Sequence, residues 1–127
     1  MLKALFLDLD ETLCDTLGAN EHARELMGQA LDERYGQAVG GQDAARAYVS
    51  GIYRRWNASQ RARYLPIIRQ QGEGAFRLQL IRDLLAERGV AEVDQADAQA
   101  LQDNFDADRL AAFHFFPGIE EFLREAR

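Results

Sequence analysis

The sequence predicts an α/β chain that is mostly helical. Two observations carry this. Residues 4 to 9, "ALFLDL", form a short apolar run with no helical spacing. After Asp15, apolar residues recur at three- and four-residue intervals almost to the end of the chain. The first pattern reads as a strand buried on both faces, the kind found in parallel sheets. The second reads as a series of amphipathic helices.

The helices follow in order. Ala19, Ala23, Leu26, Met27, Ala30 and Leu31 share one helical face, which Gly36 ends, and Gly40-Gly41 marks a loop. A second helix carries Ala45, Tyr48, Val49, Ile52, Tyr53 and Trp56 on one face. Pro66 and the "QQGEG" stretch are expected to break the chain. A third helix carries Phe76, Leu80, Ile81, Leu84 and Leu85 and ends near Gly89. Residues 95 to 112 make a fourth with a weaker apolar face. Pro117-Gly118 opens a last helix with Ile119, Phe122, Leu123 and Ala126, and Glu120 and Glu121 sit in its first turn, where the helix dipole favours them. A buried strand needs neighbours to satisfy its backbone groups, and no second convincing strand is found. The orphan strand is therefore expected to pair with a second copy or with further sequence.

Composition narrows the function classes. The chain has 127 residues, enough for one domain, and 47% of them are hydrophobic, so a core can form. A formal net charge of −6 argues against nonspecific nucleic-acid binding and against an anionic membrane surface. Lys3 is the only lysine, so the other cations are arginines. The single cysteine, Cys14, excludes an intrachain disulfide and a cysteine-based zinc site; beside the motif it reads as a small apolar filler. With no long apolar run and no signal-like N-terminus, a cytoplasmic location is the expectation.

The apolar run ends in Asp8, Asp10, Glu11 and Thr12. If the strand continues through them, Asp8 and Asp10 point to the same side. Two carboxylates at close range repel, and a hard divalent cation such as Mg²⁺ suits their oxygens. An aspartate can attack phosphorus, and a second carboxyl can protonate the leaving group and then deprotonate water. The spacing D-x-D suits that division of labour; alone, it is also a common surface feature.

With Thr12 in place, Asp8-Leu9-Asp10-Glu11-Thr12 after a buried strand resembles the first motif, D-x-D-x-T, of the haloacid dehalogenase superfamily. The resemblance implies a Rossmann-like α/β core with an inserted helical cap. It assigns residues 1–14 to the first core strand and catalytic loop, 15–113 to the cap and 114–127 to the return to the core. It makes Asp8 the nucleophile and a Mg²⁺ ligand. Asp10 becomes the general acid/base, its backbone carbonyl also binding Mg²⁺, and Thr12 supports the loop. The second aspartate favours phosphoryl transfer over carbon–halogen cleavage. "FFPGIEEFL" is similar to the segment that returns the chain to the core in the helical-cap subgroup. The "DET" form and "CDTLGAN" look similar to its N-acylneuraminate-9-phosphatase-like and nucleotide-phosphatase-like members. The implied substrate is a small phosphorylated metabolite. The family's later Ser/Thr, Lys and acidic pair are not found among the 127 residues, and Lys3 precedes the strand and cannot replace that lysine. The expectation is an N-terminal part of a phosphatase of roughly 200–250 residues, inactive by itself. The alternatives are a non-catalytic helical binding module and a phosphomutase on the same scaffold.

The arginines Arg54, Arg55, Arg61, Arg63 and Arg69 fall in the middle of the cap, where they would bind a carboxylate or a second phosphate of the substrate; the plainer reading is a solvated surface. "DNFDAD", residues 103–108, fails as an EF-hand because Asp108 stands where Gly is needed and His114 where Glu is needed. His22 and His114 read as surface or partly packed side chains. Trp56, Tyr53 and Tyr48 read as core rather than as a ligand platform.

Overall fold

The structure, a computed structural model, describes residues 16–112. Helix α1 spans Thr16–Tyr35. Ala19, Ala23, Met27 and Leu31 recur every fourth residue and are all buried, while Glu21, Glu25, Gln29 and Glu33 keep the same spacing on the exposed face. Gly36, at φ +89°, ends the helix and donates its N–H to the Asp32 carbonyl at 2.9 Å. A single 3-10 turn, Gln37–Val39, then inserts Val39 into the core.

Helix α2 spans Gly41–Ile52. Gly40, at its N-cap, has no side chain to offer, so α1 supplies the cap. Asp32 Oδ1 accepts the Gly41 N–H at 2.8 Å. The C-terminal end is a Schellman motif: Arg55 N–H reaches the Ser50 carbonyl and Arg54 N–H the Gly51 carbonyl, both at 3.0 Å. Arg54 therefore occupies the left-handed position, φ +59°, that glycine usually fills. In the matching motif after α4, Val90 N–H bonds the Leu85 carbonyl, Gly89 N–H bonds the Ala86 carbonyl, and the left-handed residue is Gly89, φ +91°.

Helix α3, Ala58–Gln71, runs where a break was expected at Pro66, and the proline lies inside it, exposed. A capping box starts it: Asn57 Oδ1 accepts the Gln60 N–H at 2.8 Å, and Gln60 Oε1 accepts the Asn57 N–H at 2.9 Å. Gly72 separates α3 from α4, Glu73–Ala86, and the chain ends its described part in α5, Gln95–Ala112. Tyr53 and Trp56 were expected on α2 but fall in the connection after it.

Helices α1, α2, α4 and α5 pack as a ring in chain order, closed by α1 against α5, and α3 folds back along α4. Tyr48, Phe76, Leu80, Ile81, Leu85 and Phe105 are the largest fully buried side chains. Tyr48 and Phe105 join α2 to α5 edge-to-face, 5.2 Å between centroids. Trp56, Tyr64 and Phe76 form a second cluster with centroids 5.1–5.9 Å apart, which fastens α3 and the α2–α3 connection to α4. Trp56 Nε1–H donates to the Gly51 carbonyl at 2.9 Å, so its polar edge is satisfied. Tyr48 and Trp56 are core, as expected; Tyr53 is exposed.

The α/β class is corrected. The described residues form five α-helices and a 3-10 turn, with no strand among them, so they contain no α/β core. The reason is periodicity: residues 16–112 repeat their apolar positions at helical spacing, and helices satisfy their own backbone groups without a sheet. The expected strand at 4–9 and the returning helix after Pro117 lie outside the described residues.

Candidate functional site

Asp8, Asp10 and Thr12 lie outside the described residues, as do Cys14 and His114. The predicted arginines are inside, and they do not form one cationic patch. Arg54 Nη2 pairs with Glu73 at 2.6 Å, and its guanidinium lies over the Trp56 ring at 5.7 Å. Arg63 makes a two-pronged bond to Asp83, 2.5 Å from Nε and 2.7 Å from Nη2. Arg55, Arg61 and Arg69 are exposed and form no ion pair among the described residues. Two of the five thus hold described helices together.

Asp83 is the hub of the α3–α4 contact. Besides Arg63 it accepts the Tyr64 hydroxyl at 2.7 Å and Gln79 Nε2–H at 2.9 Å. Burial by itself pushes the Asp83 carboxyl up, but the hydrogen bonds from Arg63, Tyr64 and Gln79 outweigh it and hold the group below its ordinary range. Burial, then the Asp83 carboxylate, pushes the Tyr64 phenol up.

An open cleft of about 460 Å³ is lined, among the described residues, by Arg77 of α4 and Asp106, Arg109 and Leu110 of α5. Arg77 is largely buried; its side chain retains 16% exposure. Three bonds fix it: Nη1 and Nη2 reach the two Asp106 oxygens at 3.0 and 2.6 Å, and Nε donates to the Tyr48 hydroxyl at 2.8 Å. The guanidinium also stacks over the Tyr48 ring at 5.6 Å. Burial pushes the Tyr48 phenol up to about 12, so the hydroxyl stays neutral. Burial works against the Arg77 charge, yet Asp106 and Tyr48 more than offset it and the pKa rises. Arg109, one turn beyond Asp106, forms no ion pair among the described residues. Leu110 is 76% exposed at the rim.

No family model, curated protein or solved structure matches this chain.

Arg77 gave no signal in the sequence, because its partner Asp106 is 29 positions away and only packing brings them together. Asp106 belongs to the "DNFDAD" stretch, whose acidity is spent partly on Arg77. Among the described residues no group of three or more His, Cys, Asp or Glu side chains is placed to hold a metal. No described helix is long and apolar enough to cross a membrane.

Proposed function

We propose that the protein hydrolyses a small phosphomonoester through an aspartyl-phosphate. The observation that carries this is Asp8-Leu9-Asp10-Glu11-Thr12 at the end of an apolar run. In this reading Asp8 attacks phosphorus in line with the leaving oxygen, and Asp10 protonates that oxygen as it departs. Asp10 then takes a proton from water, which attacks the aspartyl-phosphate and frees Asp8. Mg²⁺, held by Asp8 and the Asp10 backbone carbonyl, supplies charge screening for the phosphoryl oxygens. Thr12 supports the loop. The helical ring of residues 16–112 follows the motif directly and serves as the cover over the substrate, with the exposed Arg55 and Arg61 as candidate contacts to its anionic groups.

The test uses the protein translated from its complete reading frame, with p-nitrophenyl phosphate and Mg²⁺. Asp8→Asn removes the nucleophile and is expected to lower kcat by about a thousandfold or more. Turnover within tenfold of the unsubstituted protein overturns the assignment. A second reading, a helical binding module without chemistry, is favoured by the charged cleft on the bundle. It is the one left standing if no Mg²⁺-dependent turnover is detected with any phosphomonoester.

A further inference from the structure

We infer that the cleft between α4 and α5 is a binding site for a small organic carboxylate with an apolar body. This inference does not rest on the chemistry of Asp8 and Asp10. Its first support is the buried Arg77. A guanidinium at 16% exposure, bonded to Asp106 and Tyr48, is a fixed cation at the edge of a cavity of about 460 Å³. Pockets of this size that bind small molecules usually pair apolar walls with a few placed polar groups. Arginine has five N–H donors, and Arg77 uses three of them on Asp106 and Tyr48.

The second support is Arg109. It lines the same cleft and has no anionic partner among the described residues. Its planar fork is free to take a carboxylate in two parallel bonds. Among the described residues, the charges lining the cleft are two arginines and Asp106, a net of one positive charge on a chain of formal charge −6. One positive charge matches one carboxylate. A phosphate dianion would leave a surplus negative charge beside Asp106, so the site discriminates by charge count as well as by shape.

The third support is Leu110. A leucine at 76% exposure next to two arginines gives an apolar surface that a ring or branched alkyl group of the ligand covers. Tyr48 closes the other side of Arg77: its ring stacks on the guanidinium and its hydroxyl is committed to Nε. The cation therefore cannot swing away without giving up its bonds to the Tyr48 hydroxyl and to Asp106.

The experiment is a calorimetric titration of the full chain with benzoate, benzamide and inorganic phosphate. Benzoate is expected to bind saturably, and benzamide and phosphate each at least tenfold more weakly. Arg109→Gln removes the fork from a side chain with no ion-pair partner among the described residues, and should weaken benzoate tenfold or more without changing the thermal melt. Leu110→Ser should weaken benzoate severalfold. Arg46→Gln makes the same charge change on an exposed arginine of α2 outside the cleft and should leave the affinity unchanged. Equal binding of benzamide and benzoate overturns the inference. So does loss of affinity in Arg46→Gln as large as in Arg109→Gln, or the absence of saturable benzoate binding.

Discussion

Arg54 sits where glycine is the usual choice. Its φ of +59° costs a residue with a β-carbon about 1–2 kcal/mol, whereas Gly89 meets the same requirement after α4 without that cost. The return is an exposed ion pair with Glu73 and a contact with Trp56, together about 1 kcal/mol. Arg54→Gly should therefore leave stability within about 1 kcal/mol of the parent, since the relief and the loss are similar. Arg54→Val, β-branched at the same φ, should be less stable than Arg54→Gly by at least about 1 kcal/mol in urea titrations. At Asp83 the sign of the pH effect is set by its lowered pKa. A carboxyl held below its unfolded value of about 3.9 stabilises the fold fully above that value. The contribution disappears as the pH falls through the lower folded value. Asp83→Asn should destabilise the protein at neutral pH by about 1–2 kcal/mol. It should also flatten the loss of stability below about pH 4, read from thermal melts across that range.

At the scale of elements, most helices were legible, and α3 shows why one was not. Its apolar pattern is thin: Tyr64 is buried, and Ile67 and Ile68 are only partly covered. Pro66 then argued for a break. The signal that did mark it was Asn57-Ala58-Ser59-Gln60, an amide at the N-cap with a glutamine at the third helical position, which is a capping box. The proline survives in the helix because its face is solvent-exposed and the contacts of Tyr64 with Asp83, Trp56 and Phe76 hold the segment from the other side. A proline in a helix interior costs about 3 kcal/mol, and its stiffening of the unfolded chain returns about 1. Pro66→Ala should thus stabilise the protein by about 1–2 kcal/mol, and a lower melting temperature would contradict this account of α3. The candidate site divides in the same way. Asp8, Asp10 and Thr12 stand in an adjacent run, which sequence displays directly, whereas Arg77, Asp106 and Tyr48 come from three helices and meet only through packing.

At the scale of the whole molecule, the ring of α1, α2, α4 and α5 depends on how closely two backbones approach. A β-carbon added at Gly41 would collide with the Gly28 carbonyl of α1, a backbone atom that cannot move aside, and with the Asp32 carboxylate that caps α2. Gly41→Ala should therefore cost about 1–3 kcal/mol through overpacking. Gly74→Ala is the control: a β-carbon there meets nothing within 4 Å, and in α4 it should be neutral or stabilising by up to about 1 kcal/mol. Equal effects at the two glycines in chemical denaturation would mean that α1 and α2 are not in close contact.

The sequence by itself determined the helical faces, because Ala19, Ala23, Met27 and Leu31, or Phe76, Leu80, Leu84 and Leu85, repeat with the period of the helix and that period is a local property of the chain. It also determined the D-x-D-x-T motif, since those residues are neighbours along the chain. Only the tertiary structure decided that the described residues are helical throughout, that Arg63 belongs to Asp83 rather than to a ligand, and that Arg77, Asp106, Arg109 and Leu110 line one cleft. Those are contacts between positions far apart in sequence. Their energies depend on burial and on which partner is within reach, and neither is defined until the helices have packed.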